Sequence, residues 1–206
     1  MKQRMLAGLY PWLCCACLAV TALSVGAFDK KPVSTQTGFV LRILAENYES
    51  LHLGYTWDSA WPVLSKTNAY TTSAEITLTD VAHYDWTKQT LVLTPKASRA
   101  LNARFKIRKD TDLAAQFGIG HRAFVVRLDG VPVYGGVFLE PQSPMAIKYP
   151  VINLNTTKDG CWRLTLRPMN TVGDAVIKLK ADDPIWERIR REEIRAAFEK
   201  ANKLTR

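Results

Sequence analysis

Cysteine is scarce in this chain and badly placed for chemistry. Of its 206 residues four are cysteine, and Cys14, Cys15 and Cys17 crowd into an uncharged N-terminal stretch, leaving Cys161 alone downstream. A single cysteine closes no internal disulfide, so the downstream fold must be held by its apolar core. Cys161 stands beside Trp162 at the start of an expected strand, which suits a small buried apolar residue. Histidine is scarcer still: His52, His83 and His121 are the whole set, and no two have metal-ligand spacing. Asp80, His83 and Asp85 are close in sequence, yet neighbouring side chains diverge in a strand or loop and no fourth ligand is evident. Ser143 lacks the Gly-x-Ser-x-Gly frame of a nucleophile elbow, and Gly118-Ile119-Gly120 lacks the Gly-Lys-Ser/Thr ending of a phosphate loop. Beyond residue 27 there is also no apolar run long enough to cross a bilayer. These absences weigh against metal, nucleotide and triad chemistry and imply no cofactor.

What is present begins with Lys2 and Arg4, followed by residues 5–27 without a charge and ending in Val25-Gly26-Ala27. Positive charge, apolar core and small residues in that order predict a secretory signal over residues 1–27, cleaved before Phe28. A retained anchor is the alternative. The expected localisation is therefore exported, periplasmic or secreted. Removing Lys2 and Arg4 with the signal takes the formal net charge from +9 to +7. Its scatter along the chain, in an exported protein, points to a solvated basic surface and away from nucleic acid.

Residues 28–37 read as a polar, flexible leader, and residues 38–206 as one domain. Residues 39–53 fit either a strand running into a helix or one helix. Residues 75–79, 89–93, 123–128, 131–134, 137–139, 161–166 and 176–179 carry the alternating or β-branched patterns of strands, with residues 80–86 as a connection. Thr94-Pro95 is a helix start, with Ala97, Leu101 and Phe105 on one face. Asp129-Gly130 suits a tight hairpin, Pro132 asks for a sheet edge or a bulge, and Gly135-Gly136 permits a turn or close backbone approach. Asp183-Pro184 opens a C-terminal helix over residues 183–204. The expected fold class is α+β: a small antiparallel or mixed sheet with helices packed on one face and a C-terminal helix.

Over residues 75–152, the order of two strands, Leu93-Thr94 before a helix, a strand from Phe124 closing on Leu128-Asp129-Gly130, and an apolar return through Val131 to Val133 resembles the head region of the large periplasmic domain of the protein-export membrane protein SecD. The resemblance implies a small α+β sandwich that touches other polypeptides; without membrane helices it does not imply translocase activity.

These observations favour a binding or accessory domain of the cell envelope that holds a peptide or protein partner. Its candidate contact residues are Trp57, Trp61, Val131, Val133 and Tyr134, presented by the aromatic segment and the hairpin. No catalytic, cofactor or metal residue is assigned. The alternative is a secreted hydrolase using His83 or His121 with distant carboxylates. A shallow groove without converging titratable groups fits the first; a deep pocket gathering such groups fits the second.

Overall fold

The computed structural model describes residues 38–107, 119–171 and 182–205. The signal over residues 1–27, the leader over residues 28–37 and the strand expected at 176–179 lie outside the described residues. Nine strands form one mixed sheet: β1 (Phe39–Asn47), β2 (Thr72–Thr77), β3 (Val81–Asp85), β4 (Thr90–Leu93), β5 (Arg122–Leu128), β6 (Val131–Phe138), β7 (Val151–Thr156), β8 (Trp162–Arg167) and β9 (Leu204–Thr205). Among the described residues there are three α-helices, α1 (Trp57–Leu64), α2 (Pro95–Phe105) and α3 (Glu192–Lys200). In space the strands run β2-β1-β5-β6-β7-β8-β4-β3-β9, antiparallel except for the β6–β7 and β3–β9 pairs.

That order forces curvature. β2 and β3 stand first and eighth in the sheet, yet only Leu78–Asp80 joins them. Seven flat interstrand steps would span about 34 Å, whereas the four Cα steps from Thr77 to Val81 reach at most about 15 Å. The sheet therefore curls until its distant strands approach. Two helices span the gap. On α2, Ser98 Oγ accepts from the Trp162 backbone N–H (2.9 Å) and Asn102 from Trp162 Nε1 (2.7 Å), while Arg104 donates to Ser73 O of β2 (3.0 Å). On α3, Phe198 packs on Phe39 of β1 and Tyr84 of β3, with ring centroids 4.8 and 4.7 Å away.

The main core lies inside the curl, built from alternate residues such as Leu41 and Ile43, Phe124 and Val126, and Trp162, Leu164 and Leu166, together with Leu101, Ile194 and Phe198 from α2 and α3. The opposite residues, Leu44, Val125, Val137 and Val151, meet Ala60 and Leu64 of α1 in a second cluster. Helices thus cover both faces of a large nine-stranded sheet. This corrects the expectation of a small sheet with helices on one face: β1, β8 and β9 come from outside residues 75–152, and β8 separates β3–β4 from β5–β6–β7, so that span is not a small sandwich of its own.

Local differences have local causes. Residues 39–47 form a strand throughout because Phe39, Leu41 and Ile43 share one face, a period of two. Residues 81–85 are a strand instead of a connection, since Val81 and Tyr84 supply its inward side and a register shift between Val81 and His83 absorbs the broken alternation. The C-terminal segment is a single 3₁₀ turn (Pro184–Arg188), then α3, then β9. Ile189 is buried at the break, and Ile194 and Phe198 face the core. Thr94 caps α2 by accepting from Ala97 N at 3.2 Å. Pro132 falls at a register shift, and β6 pairs with β7 only at Val137 and Phe138, so the first half of β6 has no described strand beyond it.

Candidate functional site

Asp129 and Gly130 turn β5 into β6 with φ of 47° and 81°, the left-handed conformations that this two-residue hairpin needs. The turn is fastened to the start of β1: Gly38 N donates to Asp129 Oδ1 at 2.7 Å, and Asp129 N donates to Gly38 O at 3.1 Å. Gly38 has φ of 100°, which a side chain at that position would strain. At the root of the hairpin, buried Arg127 donates to Gly130 O and to Asn68 Oδ1 (3.3 Å). The hairpin tip is thus a braced projection.

α3 runs opposite this tip, placed by Ile194 and Phe198 in the core. Between the two walls lies an open groove of about 680 Å³. Gly38, Leu78, Leu128 and Asp129 line one side, and Glu193, Ala196, Ala197, Lys200 and Ala201 the other. The alanines have no atom beyond Cβ, so the helical wall leaves space where larger side chains would fill it. Three ionisable groups stand among these linings: Asp129, Glu193 and Lys200. Glu193 lies 3.7 Å from Arg191 Nε, and Asp129 already accepts a backbone N–H. Apolar walls with a few charges and a volume of this order suit a binding cleft; no histidine or nucleophile lines it.

The sequence-derived contact residues divide. Val131 is 63 % exposed and pairs across the hairpin with Leu128; directly opposed side chains share a sheet face, so Val131 extends the groove's apolar side. Val133 is half-buried against the main core, and Tyr134 is 1 % exposed within it, so Tyr134 presents no surface. Trp57 and Trp61, four residues apart on α1, stack at 5.1 Å with ring planes 9° apart. Both are half-buried against the second cluster, and the Arg188 guanidinium lies 5.7 Å from the Trp57 ring. They do not line the groove. Helix α3 was absent from the sequence-derived set; its signal was the run of small residues at 196, 197 and 201, which acquires meaning only once the hairpin stands opposite.

The histidines are apart from this groove and differently engaged. His83 is exposed on β3, while Asp80 accepts from Thr77 N and Asp85 accepts from Lys88 N (2.9 Å each). These carboxylates serve local turns, and no cluster of three or more potential metal ligands occurs among the described residues. His121 Nδ1 lies 3.6 Å from Glu49 Oε1, and its ring meets Tyr48 edge-on at 6.1 Å. No hydroxyl or thiol hydrogen-bonds to either histidine side chain among the described residues. Cys161 is buried, with no disulfide partner among the described residues.

No helix among the described residues is long and apolar enough to cross a membrane. Comparison with protein-family models, with curated proteins and with solved structures finds no match for this chain.

Proposed function

We propose that this protein is an exported envelope component acting as a binding or accessory domain, which holds a peptide or protein segment in the groove between the β5–β6 hairpin and α3. The observation that carries this reading is the groove itself: apolar walls, small residues along the helix, a braced hairpin opposite, and no histidine, serine or cysteine in its lining. The signal-like residues 1–27 support export, and the SecD-like order of elements over residues 75–152 supports a role in contacting polypeptides.

Ala196→Trp tests the reading. Ala196 is exposed on the groove wall, so the indole fills the groove without entering the core. With an unchanged circular dichroism spectrum, the variant should recover at least about tenfold less partner from envelope extract than wild type does. Equal recovery counts against the groove. Separate His83→Ala and His121→Ala variants should behave as wild type; loss of function from either, with the fold intact, favours the hydrolase alternative.

A further inference from the structure

We propose that the segment received by the groove is the β5–β6 hairpin of a second copy of this chain, making the groove half of a two-fold dimer interface. This rests on the groove being the binding surface and names its partner.

A two-fold interface is one patch meeting itself, so a projection and the recess that receives it must lie side by side on the same surface. That is the arrangement here. Val131 projects beside Leu128 and is one of two large apolar residues exposed among the described residues, the other being Tyr55. The recess is the space in front of Ala196, Ala197 and Ala201, across from the same hairpin. The charges repeat the pattern: Asp129 sits at the tip with its carboxylate bonded to the Gly38 amide, and Lys200 on the opposite wall forms no ion pair with a described residue. When one hairpin enters the other's groove, Val131 covers the alanines and Asp129 comes up to the partner's lysine, and the symmetry makes both contacts twice. Nine residues line the groove, fewer than the roughly 20–30 a side of a standard stable interface, so the association is sought at micromolar-to-millimolar concentrations.

Sedimentation velocity on the purified protein over that concentration range should show a reversible monomer–dimer equilibrium. Val131→Asp should weaken it about tenfold or more, and Lys200→Glu should weaken it with a smaller effect at high salt. Mixing Val131→Cys protein with Ala196→Cys protein under mild oxidation should give a covalent heterodimer, with buried Cys161 left out. A protein that stays monomeric throughout, or a dimer unaffected by Val131→Asp and giving no heterodimer cross-link, overturns the proposal. If the monomeric protein still loses an envelope partner through Ala196→Trp, the groove keeps its binding role and only the second copy is refuted. If Ala196→Trp leaves both self-association and partner recovery untouched, the groove reading fails as well.

Discussion

Two residues show how little room the packing leaves. A Cβ built on Gly136 would lie 1.8 Å from Pro150 O, because β6 and the chain entering β7 approach too closely for any side chain. Gly135-Gly136 is therefore the close approach, not the turn, of the two uses that the sequence allowed. Gly136→Ala should cost about 3 kcal/mol, since a backbone atom must move to admit the methyl; chemical denaturation measures it, and a loss below about 0.5 kcal/mol would mean that the strands separate easily. Tyr149 presents the opposite case. Its ring is fully buried, and its hydroxyl has no hydrogen-bond partner among the described residues. Burial first, then the neighbouring Tyr48 and Tyr55, push its ionisation well above the ordinary tyrosine range. Because a buried hydroxyl without a partner is a net cost, Tyr149→Phe should leave the melting temperature unchanged or raise it. A clear fall would reveal a bonding partner reached in solution.

The helices act as clamps more than as layers. α2 holds β8 through Ser98 and Asn102 and β2 through Arg104, with the Phe105 ring 6.1 Å from Trp162. Removing the Asn102 amide strands a largely buried indole N–H. Asn102→Ala should therefore destabilise by about 1–3 kcal/mol, with loss of near-ultraviolet circular dichroism from Trp162 before the sheet signal falls. Elements of this kind were legible where the cue is local. Thr94-Pro95 announced a cap and Asp129-Gly130 a hairpin because each residue's own backbone preference and side-chain reach decide the outcome. β3 was not legible: residues 80–86 read as a connection, and pairing with β4 on one side and β9 on the other makes residues 81–85 extended. Nor was the break before α3, where burying Ile189 outweighs continuing a helix from Pro184.

Curling one sheet around one core ties the stability of the whole molecule to tyrosines. Tyr84 and Tyr134 are buried on the inner face, Tyr84 donating to Gln89 Oε1 at 2.5 Å; burial pushes both hydroxyls above the ordinary tyrosine value, as it does Tyr149 on the other side. For a group whose folded value is raised, the stabilisation is complete below the unfolded value, about 10 for tyrosine, and is lost as pH climbs from there toward the folded value. Unfolding should therefore set in above about pH 10, with the share of tyrosinate absorbance that belongs to the buried rings rising together with the loss of circular dichroism, after exposed tyrosines such as Tyr55. Complete tyrosinate absorbance with the fold intact would refute this. By itself the amino-acid sequence determined the buried place of Cys161, most of the described strands, the cap of α2 and the hairpin, because period and turn preference act over a few residues. Strand order, helices on both faces, the burial of Tyr134 and the groove between Leu128 and Ala197 were decided only by the tertiary structure. They depend on a three-residue link pulling β2 and β3 together from near opposite ends of the sheet, a long-range closure that no local pattern records.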